Sequence, residues 1–257
     1  MLLAIDVGNT QTVLGLYEGD RLVGHWRIAS ETRRTSDELR WAILGILERD
    51  GFGPDDVSGF VVSSVVPSLT AVYREVAAAV TDGEVVVVEP GIRTGLAIHI
   101  DHPREVGADR IANAVAARAR HGAPVVTVDF GTSTNFDVVG PEGDYLGGVI
   151  AAGLEIATTA LVAGTAALRR VEYLPPRSVI GKSTVEAIQS GALYGHAGLV
   201  DGIVDRIRDE LGVRARVVAT GGLASTIVPH CRSVDVVDEF LTLEGLRLLY
   251  ELNREVA

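Results

Sequence analysis

Lysine occurs once in this chain, at Lys182, and arginine supplies the other formal positive charges, a bias that reads as GC-rich coding more than function. Cysteine also occurs once, at Cys231. No intrachain disulfide can form, so a reducing, cytoplasmic setting is expected. Cys231 itself is expected to serve as a buried small hydrophobe rather than a nucleophile. The six histidines show neither HExxH nor Cys/His ligand spacing, so no zinc site is expected. Positive charge is in deficit: the net charge of -11 opposes binding to nucleic acid or an anionic membrane, and neither partner is expected. Phosphates remain possible ligands, because local N–H arrays and Mg²⁺ can hold them on an acidic protein. A long uninterrupted apolar run is missing too. Met1 to Ile5 is too short for a signal-peptide core and has no basic start. The stretch from Gly147 to Leu168 resembles a membrane span, but Glu155 interrupts it, so a buried or interface helix is expected.

With 257 residues, 47% of them hydrophobic, the chain is long enough for two globular units without disulfides or structural metal. Leu2 to Asp6 is an apolar run, followed by a predicted hairpin over Thr12–Tyr17 and Leu22–Ile28 with Glu18-Gly19-Asp20 at its turn. Thr35-Ser36-Asp37-Glu38 opens a helix carrying Leu39, Ile43, Ile46 and Leu47 on one face. Phe60–Val62 and Val85–Val88 read as short strands, with a helix after Pro67. The order then starts again at Val125–Val128, with a hairpin over Phe136–Val139 and Tyr145–Ile150. Helices are predicted over Leu154–Leu168, Thr184–Leu211 and Leu243–Asn253, with a strand over Arg216–Ala219. This internal repeat outranks local propensity in setting the fold class. It predicts two domains, residues 1–115 and 116–257, bridged by a helix-like segment around Ile111–Arg120.

Each half carries a glycine turn at the end of its first strand: Asp6-Val7-Gly8-Asn9-Thr10, then Asp129-Phe130-Gly131-Thr132-Ser133-Thr134. Glycine lets the backbone approach a phosphate, and successive N–H groups can form an anion-binding concavity. The acid cannot itself welcome a phosphate; it suits Mg²⁺ or its waters. One such segment alone reads equally as a polar hairpin turn. Two at matching positions are a much stronger signal, and such loops could clasp a nucleotide tail from opposite sides. Gly107-Ala108-Asp109-Arg110 is a third candidate. Arg110 can pair with a carboxylate, and Asp109 can take a proton from a hydroxyl attacking a phosphate. From spacing alone, an ordinary acidic helix start is the stronger reading. Gly181-Lys182-Ser183-Thr184 imitates the end of a P-loop, but Pro176 stands where its first glycine is needed.

Twin Asp-Gly-Thr hairpins resemble those of the actin and sugar kinase superfamily. Within it the whole chain resembles the type III pantothenate kinases, the CoaX family, through Asp6–Thr10, Gly107–Arg110, Asp129–Thr134, Gly147-Gly148-Val149-Ile150 and Thr220-Gly221-Gly222. The resemblance implies an α/β fold: a duplicated actin-like (ribonuclease H-like) ATPase with two mixed sheets flanked by helices. It implies ATP-dependent phosphorylation of pantothenate, the first step of coenzyme A biosynthesis. Asp109 would be the catalytic base, and Gly107, Ala108, Asp109, Arg110 and Thr184 would bind pantothenate. Asp6, Val7, Gly8, Asn9, Thr10, Gln11, Thr12, Val13 and Thr132 would bind ATP with Mg²⁺, and Thr220-Gly221-Gly222 would lie near the nucleoside. Asp129 would hold a monovalent cation, K⁺ or NH₄⁺. A homodimer is implied, with Thr184 reaching pantothenate across the interface. Two positions depart from the family: Ala152 stands where a proline is common, and Ile100 where many members have tyrosine. A non-catalytic transcriptional accessory factor on the same scaffold, or a kinase for another small hydroxy acid, are the rival readings.

Overall fold

The fold is that of a computed structural model in which residues 1–254 are described. From the N-terminus the elements are β1 (Leu2–Val7), β2 (Gln11–Glu18), β3 (Arg21–Ala29), α1 (Ser36–Arg49), β4 (Gly59–Ser64), α2 (Pro67–Val80) and β5 (Glu84–Val87). Next come α3 (Ala108–His121), β6 (Val125–Phe130), β7 (Ser133–Val139), β8 (Tyr145–Ala152), α4 (Leu154–Ala163) and α5 (Thr184–Leu211). The last are β9 (Arg216–Thr220), α6 (Ala224–Ile227), β10 (Val236–Val237) and α7 (Leu241–Asn253). The chain divides into two compact units: residues 1–97, 101–116 and the segment from Leu241 onward form the first, and residues 98–100 and 117–240 the second.

The first unit holds a five-stranded sheet in the order β3-β2-β1-β4-β5, the second a five-stranded sheet in the order β10-β9-β6-β7-β8. In each, the first strand runs antiparallel to the hairpin strand on one side and parallel to a later strand on the other. The two mixed sheets therefore repeat one topology, as the doubled sequence pattern predicts.

In the first unit the central strands are mostly apolar because both faces are covered, with polar residues gathered at their ends. Leu3, Ile5, Val7, Leu14, Leu16, Phe60 and Val62 share a core with Leu39, Ile43 and Leu47 of α1 and Leu69, Tyr73, Val76, Ala77 and Val80 of α2. A full capping box between Thr35 and Glu38 starts α1, as predicted. The opposite face carries small residues, and α7 packs there against β1, β2 and β4. A side chain on Gly15 would meet Leu243 at 2.8 Å, and one on Gly59 would meet the Tyr250 hydroxyl at 2.3 Å. The sequence division at 115/116 leaves this final helix with the second half; its packing belongs to the first unit.

The second core joins Val126, Val128, Phe130, Phe136 and Val138 of the sheet to Ala192, Val200 and Val204 of α5. Here α4 stops at Ala163, five residues before the predicted Leu168. Gly164 occupies its C-cap, and the Thr165 hydroxyl bonds the Leu161 carbonyl at 2.9 Å. Cys231 is only half-buried rather than fully buried; it packs on this core, and burial pushes its thiol up to about 12.

Within the first unit, α7 and α3 are in direct backbone contact. A Cβ on Gly245 would lie 2.0 Å from the Ala112 carbonyl oxygen, and Thr242 donates to Asn113 Oδ1 at 2.7 Å. Backbone cannot rotate aside as a side chain can, so Gly245→Ala should lower the free energy of unfolding by about 1–3 kcal/mol. Urea denaturation of the variant beside the parent protein measures this; equal midpoints would mean the helices separate freely.

Candidate functional site

In the first unit, β1 delivers Asp6 half-buried at the end of the sheet, next to the Gly8–Thr10 turn. The Gly8 N–H donates to the Gln11 carbonyl at 3.1 Å, and a Cβ on Gly8 would lie 2.8 Å from that oxygen, so the turn requires glycine. Asn9, Thr10 and Gln11 are exposed, Val13 is half-buried, and Val7 and Thr12 are buried. The Thr12 hydroxyl shares a 2.8 Å hydrogen bond with Ser30 Oγ. Val7 and Thr12 therefore have backbone groups, not side chains, to offer a nucleotide. Asp6 Oδ1 accepts a 2.6 Å hydrogen bond from the hydroxyl of Ser63, the residue opposite it on β4. Ser63 was not among the residues predicted for the site; its only sequence signal is a small polar residue at the end of an apolar strand.

Gly107, Ala108, Asp109 and Arg110 are all half-buried at the start of α3, also in the first unit. Asp109 Oδ1 accepts the Arg110 N–H at 2.8 Å. A Cβ on Gly107 would sit 2.5 Å from the same oxygen, so that glycine clears the space beside the carboxylate. Burial raises the Asp109 carboxyl above its ordinary range, against the opposing pull of the Arg110 N–H and charge. A carboxylate made more basic in this way is suited to accept a proton. The helices and strand behind these residues share α7 as a support, since α7 packs on β1 and touches α3.

In the second unit Asp129 occupies the place in β6 that Asp6 has in β1, half-buried and opposite Asn135 and Thr220. Its turn is one residue shorter: the Gly131 N–H donates to the Ser133 carbonyl at 3.0 Å. Thr132 is exposed at the tip. Gly221, at φ +91°, abuts this strand end; a Cβ there would lie 2.4 Å from Asp129 Oδ1 and 2.7 Å from the Phe130 carbonyl oxygen. Gly153 lies under the tip, where a Cβ would be 2.3 Å from the Thr132 carbonyl oxygen.

Thr184 is exposed as the first residue of α5, after an N-cap at Ser183 that accepts the Glu186 N–H at 3.2 Å. Lys182 is exposed, and its backbone N–H bonds Glu186 Oε2 at 2.8 Å. Thr184 lines an apolar cavity of about 470 Å³ between α4 and α5. Buried His196 lines it too, held by Thr134 at 2.9 Å and kept below its usual pKa by desolvation. Ile100 lies in this unit, 3.5 Å from where a Cβ on Gly147 would stand, and Ala152 is exposed at the end of β8.

The single carboxylates at the strand ends fit Mg²⁺ held with phosphate oxygens. Among the described residues no group of three or more His, Cys, Asp or Glu side chains could hold a metal. Mg²⁺ typically needs only one or two carboxylates, with phosphates and water completing its shell. A Cβ on Gly221 would overlap the Asp129 carboxylate and the Phe130 backbone, so the Gly221 turn and the end of β6 are in direct contact. No helix of the described residues is long and apolar enough to cross a membrane.

Comparison with known proteins agrees with this arrangement. The family model for type III pantothenate kinases matches residues 2–206. A type III pantothenate kinase of Acidothermus cellulolyticus is 54% identical over 254 residues, spanning 98% of this chain and 99% of its own. One from Frankia alni is 53% identical, spanning 98% of this chain and 100% of its own. The crystal structure of a ROK hexokinase from Thermus thermophilus superposes with a TM-score of 0.52 at 13% identity, over 96% of this chain and 97% of that one. The last likeness bears on the fold alone and agrees with a duplicated actin-like architecture. On the match of model and sequence over nearly its whole length, this chain belongs to the type III pantothenate kinase family.

Proposed function

We propose that Asp109 is the general base of an ATP-dependent pantothenate kinase. The observation that carries this is a carboxyl raised by burial at a glycine-cleared helix start, with a guanidinium as its neighbour in sequence. The reaction is phosphorylation of pantothenate to 4′-phosphopantothenate in coenzyme A biosynthesis, which the family relationship supports. Asp109 takes the proton of the primary hydroxyl as that oxygen attacks the γ-phosphorus and ADP leaves. Arg110 pairs with the pantothenate carboxylate, and Gly107 and Ala108 keep the backbone close to the substrate. Phosphoryl transfer depends mainly on positioning and charge stabilisation, so few acid/base groups are needed.

On the first unit, the Asp6–Val13 segment offers N–H groups to the phosphates of ATP, and Asp6 offers its carboxylate to Mg²⁺ or its waters. Bound Mg²⁺ supplies neutralisation of the charge that develops on the phosphate oxygens. On the second unit, Thr132 contacts ATP, Thr220-Gly221-Gly222 serves the nucleoside, and Asp129 would hold K⁺ or NH₄⁺. A cytoplasmic setting, where ATP is supplied, accords with these substrates. The chain works as a homodimer, with Thr184 serving the partner's pantothenate. Support for this comes from the α4/α5 cavity and from exposed Ile150, Ile156, Leu161, Val179 and Ile180 of the second unit, apolar side chains that a second copy would cover.

Asp109→Asn should reduce kcat by about 10²–10⁴-fold while leaving ATP binding largely intact, as read by ADP release that depends on pantothenate. Near-normal turnover would remove Asp109 from the mechanism, and ADP release without pantothenate would remove the acceptor. The raised carboxyl also fixes two signs. The acid limb of kcat/KM should lie above the ordinary aspartate pKa of 3.8. The ionised form is disfavoured in the fold, so the neutral Asn variant should melt higher than the parent at neutral pH. That gain should disappear as pH falls below 3.8, where Asp109 is protonated both folded and unfolded.

The second unit and the dimer have their own tests. K⁺ should stimulate the parent protein, and Asp129→Asn should abolish that stimulation; a variant still stimulated by K⁺ would move that cation elsewhere. Co-expressing Asp109→Asn with Thr184→Ala should yield mixed dimers more active than either parent, because one of their two shared sites is intact. No recovery, or a light-scattering mass of a single chain, would rule out the shared site.

A further inference from the structure

We propose that Ser63 is a positioning residue for the Mg²⁺-facing carboxylate of Asp6, an inference that rests on the role given to Asp6 above. Ser63 is wholly buried near the end of β4, among Phe60, Val61 and Val62, which are buried as well. A hydroxyl taken into such surroundings is costly unless it is hydrogen-bonded. Its bond goes to Asp6 Oδ1 at 2.6 Å, across the parallel pairing that sets Asp6 opposite Ser63. An ionised carboxylate only accepts, so the hydroxyl is the donor and its proton points at Oδ1. Strand register brings the two residues together, and the hydrogen bond then fixes the rotation of the carboxylate about its own axis. Outer groups that orient a cation's ligands in this way typically govern its affinity.

The repeat provides an internal comparison. In the second unit the residue opposite Asp129 on the parallel neighbour is Thr220, again a buried hydroxyl. That hydroxyl is directed to the Glu239 carbonyl, at 3.5 Å. The two halves thus place a hydroxyl at the same register position and aim it differently. Ser63 is committed to the carboxylate at its own strand end, and Thr220 to a backbone carbonyl further along the chain. Only the first unit uses this position to orient the acid, which accords with a multivalent cation being more exacting in geometry than a monovalent one.

Equilibrium binding of a non-hydrolysable ATP analogue, with Mg²⁺ and with EDTA, tests this apart from turnover. Ser63→Ala should weaken binding about 10–100-fold in Mg²⁺ and leave the EDTA value within about twofold of the parent. Ser63→Cys, similar in size with a weak donor, should fall between the two. The KM for pantothenate should stay close to that of the parent in both variants. Equal binding by Ser63→Ala and parent in Mg²⁺ would overturn the proposal. So would a loss of the same size with and without Mg²⁺, which is what a merely structural role or a damaged fold produces. Asp6→Asn separates the two levels of the argument, since it should erase the difference between Mg²⁺ and EDTA. If it does not, the reading of Asp6 fails, whatever Ser63 does.

Discussion

The geometry of the first unit depends on one helix seated without side-chain padding. Gly245 of α7 lies against the Ala112 carbonyl of α3, closer than any residue with a Cβ could come. Along the same helix, Leu243 and Tyr250 fill the places where Gly15 and Gly59 leave the sheet bare. One rigid element thereby rests on the strand that carries Asp6 and on the helix that carries Asp109. The second contact is reinforced by the hydrogen bond between Thr242 and Asn113. Arg247, buried on the same helix, is neutralised by Glu244 at 2.7 Å and Glu251 at 2.6 Å, so α7 buries a charge without leaving it unpaired.

The same economy of side chains recurs around the reactive groups. Gly107 gives room to the Asp109 carboxylate, Gly221 to Asp129, and Gly153 to the carbonyl of Thr132. In each case the neighbour is a polar oxygen that a methyl group would cover. These glycines act less as hinges than as places where backbone packs directly against those oxygens. The repeated topology supplies two such places, and the loops have diverged within it. The first turn spans three residues between its strands and the second only two.

Much of this was legible in the chain itself. Apolar runs ending in Asp and Gly marked the two strand–turn units, and Thr35 with Glu38 marked the start of α1 as the capping box requires. The doubled order of elements pointed to one arrangement used twice, and the resemblance to mixed sheets, both of which the strand orders bear out. What escaped was set by distance in the chain. The apolar face of α7 announces that it must be covered, but not that β1, β2 and β4, from the opposite end of the sequence, cover it. Ser63 could not be tied to Asp6 before the register was known, because a slip of one residue would turn its hydroxyl to the other face. Thr12 follows three exposed residues, Asn9, Thr10 and Gln11, yet strand alternation turns it inward to Ser30. The predicted end of α4 at Leu168 follows the run of hydrophobicity, whereas the helix stops at Ala163 with Gly164, a poor helix former, at its C-cap.

The placement of α7 has a consequence for how the molecule is made. Apart from residues 98–100, the second unit is one continuous stretch, 117–240, whereas the first is split between the opening segments and the last helix. A ribosome therefore releases every strand of the first sheet long before the helix that covers its glycine-lined face. Until α7 emerges, that face lacks its cover, while the second unit already has nearly all of its chain. Domains emerging from a ribosome tend to fold in order of synthesis. Here the half translated first is the half completed last.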